Sequence, residues 1–261
     1  QNSKKKYQSI NDYEFKVFSQ FGDDGIIQFL IENINIKNDF FLEFGVENYE
    51  ESNTRFLLEN NNWAGVIFDS SEKHILHTKQ QNYFWKYRIQ SFCHFITKEN
   101  INDITRAEIT NPDIGLLCID VDGNDFWIWK AINYLNPQIV IIEYNARFGN
   151  DKSISIPYER NFDRNKKKYK NIIYGASLGA LEKLGKEKNY SLIGTNLNGN
   201  NAYFIRNDSI PQNHELIKPR TTKECFKLNS FKENRDDYGN IIYLSKDEEE
   251  ALISKFNLEN V

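Results

Sequence analysis

FFLEFGVENYEESNTRFLLENNNWAGVIFD, residues 40–69, is the stretch on which the fold turns. Its apolar opening, Phe40 to Phe44, predicts a strand, Ser52 to Asn60 has the spacing of an amphipathic helix, and Ala64 to Asp69 predicts a second strand. These make one β-α-β unit with a turn glycine, Gly45, and an acid at the carboxyl end of each strand, Glu43 and Asp69. A ligand carrying a ribose and an amino group suits that arrangement.

The flanks repeat the alternation. Before the unit come a polar leader with Lys4 to Lys6 and a helix from Asp23 to Ile34, whose Ile26, Ile27, Leu30, Ile31 and Ile34 share a face. After it the pattern predicts a helix over His74 to Asn82, a short strand within Tyr87 to Phe92 and a helix over Ile101 to Glu108. Ile114 to Asp120 is nearly continuously apolar, as a parallel strand buried on both faces should be. A helix from Asp125 to Leu135, stopped by Asn136-Pro137, and a strand from Gln138 to Glu143 follow. Asn145 to Tyr169 reads as a loop, basic at Lys166 to Lys168, and Ser177 to Lys188 as a helix. Two late strands, Ser191 to Gly194 and Ala202 to Ile205, are joined by an Asn-Gly turn within Asn196 to Asn201.

The fold class that results is α/β: a Rossmann-like, doubly wound, mostly parallel seven-stranded sheet with an antiparallel edge strand. Ligands of such sheets sit beyond the carboxyl ends of the strands, where Glu43, Asp69, Asp120 and Glu143 fall. The expected division is a leader over 1–18, one α/β domain over 19–207 and a polar C-terminal extension over 208–261, with an acidic helix start at Asp247 to Glu250.

Composition narrows the partners. A net charge of -4 gives no basic field for nucleic acid. No apolar run reaches the roughly 20 residues that span a bilayer, so membrane insertion is not expected. Cys93, Cys118 and Cys225 are widely spaced, which argues against a disulfide framework or a zinc site and favours a reducing cytoplasm. With no methionine, the chain is expected to be trimmed, processed or cut from something longer. A small-molecule substrate is the expected partner, and a homodimer is left open.

The turn after the first strand has one glycine where a dinucleotide fold shows three. Glu43, Glu47, Glu50 and Glu51 would repel a pyrophosphate and attract a cation. Asp69 stands near the roughly 20-residue offset at which an acid accepts hydrogen bonds from ribose hydroxyls. S-adenosylmethionine has an adenosine, an ammonium and a sulfonium but no phosphate, and satisfies all of this. A β-α-β unit with ordinary surface acids would show the same pattern.

Five blocks also carry a family resemblance: SQFGDDG (19–25), FLEFGVEN with SNTR (41–48, 52–55), CIDVDGNDFWIWKAI (118–132), VIIEYNA (140–146), and YGASLGALEKLGKEKNYSLIG with NAYFIR (174–194, 201–206). Over about 19–207 the chain resembles class I S-adenosylmethionine-dependent methyltransferases. It is most similar to FkbM-like enzymes and to sugar O-methyltransferases of bacterial capsule clusters, including Campylobacter-type capsular heptose O-methyltransferases. One departure is Tyr49, where these enzymes often have a small residue. The resemblance implies that Glu43 and Gly45, with Thr54 near them, face the methionine end. Asp69 and Ser70 would hold the ribose, Asp120 would border the cofactor, and Gln20 and Asp24 would close over it. Asp23 and Asp24 would equally suit an ordinary helix N-terminus.

Asp120-Val121-Asp122-Gly123-Asn124-Asp125 gathers three carboxylates at the same edge, which is costly unless something positive compensates. Oxygen ligands favour Mg or Mn, and Asp120, Glu143 and Asn145 resemble the metal trio of catechol-type O-methyltransferases. Equally, Asp125 would serve as a helix cap, and FkbM-type enzymes carry a similar motif without an obvious need for metal. Asp120, Asp122 and His94 are the catalytic candidates. His74 and His77 read as a solvated face, and His214 sits in the tail. Acceptor candidates are Tyr144, Arg147, Tyr158, Tyr174, Ser177 and Asn201, together with Trp127, Trp129 and Arg160. Because Trp127 and Trp129 are two apart, they cannot share a helix face.

The function expected is S-adenosylmethionine-dependent O-methylation of a sugar hydroxyl, on a nucleotide-linked sugar or capsule polysaccharide precursor, with a divalent metal as an optional aid. The alternatives are a nucleotide-sugar oxidoreductase using NAD and a non-catalytic partner subunit that keeps the fold.

Overall fold

In the computed structural model, which describes residues 7–166, 172–229, 234–235 and 240–261, β1 (Phe40–Phe44) lies inside a seven-stranded sheet. The other strands are β2 (Ala64–Asp69), β3 (Ile89–Cys93), β4 (Leu116–Ile119), β5 (Ile139–Glu143), β6 (Tyr190–Thr195) and β7 (Asn201–Arg206), in the order β3-β2-β1-β4-β5-β7-β6. β1 pairs in parallel with β2 and β4, β2 with β3, and β4 with β5. β7 runs antiparallel to both β5 and β6, so the expected hairpin closes one edge. This is the Rossmann-like α/β sheet.

Alternation along β1 sorts its side chains. Leu42 and Phe44 pack with Val66, Phe68, Leu117 and Ile142 under α5 (Ile101–Glu108), α6 (Asp125–Ala131) and α7 (Leu178–Glu187). Phe41 packs on the opposite face with Ile67, Leu116 and Ile141, under α1 (Asp23–Asn33) and α2 (Arg55–Asn61). Each fully buried Leu, Ile or Phe stabilises by about 1.5–3 kcal/mol, so both layers are needed. Trp129 is in the core, while Trp127 is half-buried and donates Nε1–H to the Ile156 carbonyl.

Three elements depart from the sequence expectation for local reasons. The helix after Asp125 ends at Ala131, because the Asn102 side chain accepts the N–H groups of Asn133 and Tyr134 and donates to the Ala131 carbonyl. His74 to Asn82 resolves into α3 (Glu72–Lys79) and α4 (Asn82–Lys86), parted at extended Gln81. α2 starts at Arg55, since Ser52 to Thr54 fold back onto Glu43.

The segment before α1 packs onto the domain: Ile10 is buried, and a Cβ on Gly194 would stand 2.4 Å from its Cδ1. Beyond β7 lie α8 (Thr222–Cys225) and α9 (Lys246–Ile253), the latter capped by Ser245. Lys167 and Lys168, in the basic run, lie outside the described residues. Among the described residues no helix is long and apolar enough to cross a membrane. The three cysteines are free.

Candidate functional site

Beyond the carboxyl ends of β1, β4 and β5 is a cavity of about 250 Å³. Among the described residues, six carboxylates line it, Glu43, Glu47, Glu51, Asp120, Asp122 and Glu143, against two cations, Arg147 and Arg164. Gln20, Gly45, Tyr174 and Asn201 also border it. The turn at Gly45 has φ +76°, and a Cβ there would sit 1.6 Å from the Asp120 carbonyl oxygen. Only glycine lets the β1 turn lie that close to the loop after β4.

Glu43 organises this turn. Its carboxylate accepts from Ser52 Oγ at 2.5 Å, Thr54 Oγ1 at 2.5 Å, and the N–H groups of Asn53 at 3.0 Å and Thr54 at 3.2 Å. Burial pushes its pKa up, and these donors pull against the shift. Thr54 is fully buried and is not among the lining residues; it ties Glu43 to the Tyr49 hydroxyl. The large residue at 49 is thereby accommodated: Tyr49 turns inward at φ 61° and is wholly buried.

At the end of β2, one oxygen of Asp69 accepts the Glu47 N–H at 2.8 Å. The other accepts the Ser71 N–H at 2.8 Å and lies 3.2 Å from His74 Nδ1. Ser70 beside it is exposed. Asp24 is buried and does not line the cavity. One of its oxygens accepts the N–H groups of Val17, Phe18 and Ser19, shaping the turn that brings Gln20 and Phe21 to the cavity wall.

The acid cluster differs from the trio named from the sequence. Carboxylate oxygens of Asp120, Asp122 and Glu143 lie within 4.8 Å of one another. Asn145 stands apart: it is buried, gives its Nδ2–H groups to the carbonyls of Ile172 (2.8 Å) and Tyr174 (3.0 Å), and accepts the Arg147 N–H. Asp125 holds the loop itself, accepting the N–H groups of Val121 and Gly123, each at 2.8 Å. Desolvation, then the charges of Asp122 and Asp125, pushes the Asp120 pKa well up. Desolvation and the Asp120 charge do the same to Glu143, opposed by Arg164. Glu143 Oε2 is buried with no hydrogen-bond partner among the described residues.

Among the described residues Arg164 is the cation at this cluster, and its place was not read from the sequence. Its Nη1 is 2.5 Å from Asp122 Oδ1 and 3.9 Å from Glu143 Oε1, while its Cζ lies 3.9 Å from the centre of the Tyr174 ring. The only available signal was the basic character of the 145–169 loop, which the lysine run dominates. Asp23 was also missed as a site-supporting residue: fully buried, it accepts from Asn196, Asn201 and Tyr203 and locks α1 to the turn before β7.

Several other candidates are employed elsewhere. His94 follows β3, gives its N–H to the Asp69 carbonyl and packs its ring near Phe68; it is not among the lining residues. Tyr144 is buried and donates to the Lys227 carbonyl, and Ser177 is the N-cap of α7. Tyr158 gives its hydroxyl to Glu99 at 2.5 Å, away from the acid-lined cavity. Arg147 lines the cavity and is ion-paired to Glu249 of α9.

No family model and no curated protein matches the chain. Solved structures do. One is an S-adenosylmethionine-dependent methyltransferase from Clostridium acetobutylicum, 12% identical, covering 70% of this chain and 89% of that one at a TM-score of 0.44. Another from Aquifex aeolicus is 9% identical, with 70% and 89% covered and a TM-score of 0.42. The N-terminal domain of EvdMO1 with SAH bound is 8% identical, with 72% and 80% covered and a TM-score of 0.45. These neighbours are S-adenosylmethionine-dependent methyltransferases or bind their product. At such identities and scores the function rests on the site's own chemistry.

Proposed function

We propose that this chain is an S-adenosylmethionine-dependent O-methyltransferase that acts on a sugar hydroxyl, of a nucleotide-linked sugar or capsule polysaccharide precursor, with a divalent metal at its acid cluster. The observation that carries the reading is the excess, among the described residues, of six carboxylates over two arginines around a cavity at the strand ends. Such a lining repels a pyrophosphate and favours an ammonium or sulfonium.

The residues fit that cofactor. Asp69 and Ser70 are not among the lining residues, but Asp69 holds the N–H of the lining Glu47 and keeps lone pairs for ribose hydroxyls after taking its backbone donors, with Ser70 exposed beside it. Gly45, Glu43 and Gln20 would face the methionine end. When bound, the cofactor supplies a methyl group already activated on a sulfonium, so the chain has to align the acceptor and remove its proton. Asp120 is suited to removing the proton. Its carboxylate accepts no hydrogen bond from the described residues, which leaves its oxygens open to an acceptor hydroxyl.

The acid cluster also fits a hard cation. Asp120, Asp122 and Glu143 offer oxygen donors only, one of them an orphaned buried oxygen, which suits Mg or Mn. A divalent ion there would supply acidification of the acceptor hydroxyl. Arg147, Tyr174 and Asn201 border the same cavity and would meet the sugar there.

Mass spectrometry of a nucleotide-sugar panel incubated with S-adenosylmethionine, with and without EDTA, tests acceptor and metal together. Asp120→Ala should abolish turnover and leave S-adenosylhomocysteine binding largely intact. Undiminished turnover in that variant would remove Asp120 from the mechanism.

A further inference from the structure

The acid cluster has a second claimant. Arg164 sits on the turn Arg164–Lys166, and its guanidinium lies against two of the three carboxylates a divalent ion would need, Asp122 at 2.5 Å and Glu143 at 3.9 Å. Its flat face is stacked on Tyr174 at 3.9 Å. The compensation is lopsided: Arg164 reaches Oε1 of Glu143, while Oε2 of the same carboxylate is buried with no donor among the described residues, in a residue only 8% exposed. The guanidinium that reaches Asp122 leaves that oxygen without a donor among the described residues, and a small ion held by one oxygen from each of the three carboxylates would bring a compensating charge to Glu143.

The segment carrying Arg164 is fixed to the acid loop at other points. Phe162 fills the space over Gly123, where a Cβ would stand 2.2 Å from the ring, and Asn124 Nδ2 donates to the Glu159 carbonyl at 2.9 Å. Arg164 is therefore delivered to the cluster by a docked segment. Two cations cannot share those oxygens without repulsion in a partly desolvated site.

We infer that Arg164 is a built-in counter-ion which competes with a divalent cation for Asp122 and Glu143, so that the ion binds only as the guanidinium withdraws from them. The inference rests on reading the cluster as a cation site, and makes Arg164 a positioning residue that sets metal affinity. A side chain that merely packed against Tyr174 would leave metal affinity unchanged when replaced.

The test is titration of the full chain with Mn²⁺, followed by electron paramagnetic resonance of the free ion, for the wild type, Arg164→Gln and Arg164→Lys. Arg164→Gln should bind Mn²⁺ roughly tenfold more tightly or better, a change of about 1.4 kcal/mol. Arg164→Lys, which keeps the charge, should stay near the wild type. Equal affinity in wild type and Arg164→Gln, or no Mn²⁺ binding by any of the three, overturns the inference. Should Arg164→Gln fail to fold, Arg164→Met takes its place with the same expected gain and the same overturning result. Titration of the same samples with S-adenosylhomocysteine separates the two proposals: its failure to bind beside the expected Mn²⁺ pattern would sink methyl transfer alone.

Discussion

Asp23 illustrates how a single carboxylate can serve a site without lining it. Burial raises its pKa, opposed by donors from Tyr203, Asn201 and Asn196. The native state therefore holds this proton to higher pH than the unfolded chain, where an aspartate titrates near about 3.9. Its stabilising contribution is full below that value and is lost as pH rises through the native pKa. Asp23→Asn cannot ionise and escapes that loss. Thermal melts should show the variant gaining on the wild type as pH rises from about 4 to about 7, whatever their offset at acid pH; a constant difference across that range would contradict the assignment. That Glu43, Asp69 and Asp120 fall at the carboxyl ends of strands was legible because each stands at or next to the end of an apolar run. Asp23 and Arg164 were not, since their partners, Tyr203 and Asp122, lie 180 and 42 residues away and no local pattern announces the pairing.

Elements with a strong period were read almost to the residue: β1, β2 and α5 have the boundaries their patterns predict. Ends decided by a distant side chain were not, as with Asn102 stopping α6 and Glu43 delaying α2. The stretch from Ile156 to Lys166 is the clearest case, a loop in sequence terms that is docked on the acid turn through Trp127, Asn124 and Phe162. If Phe162 fastens it, Phe162→Ala should loosen this stretch by about 1–3 kcal/mol, the ring being only half-buried. Limited proteolysis checks this: cleavage between 156 and 166 should speed up several-fold relative to the wild type, and an unchanged rate would show that the ring does not hold the segment.

At the scale of the whole molecule, the β3-β2-β1-β4-β5-β7-β6 sheet brings the ends of β1, β4 and β5 to one cavity, with β2 ending beside it in Asp69. The net charge of -4 is modest, so the six acids around that cavity mark a local choice. Under the proposed function, that choice favours a phosphate-free cationic cofactor over a dinucleotide. Isothermal calorimetry with S-adenosylhomocysteine and with NAD, on the wild type and Asp69→Ala, tests it most directly. S-adenosylhomocysteine should bind the wild type and lose roughly tenfold or more in affinity, about 1.4 kcal/mol, in Asp69→Ala, while NAD gives no binding heat. Binding of NAD with none of S-adenosylhomocysteine would contradict the proposed function.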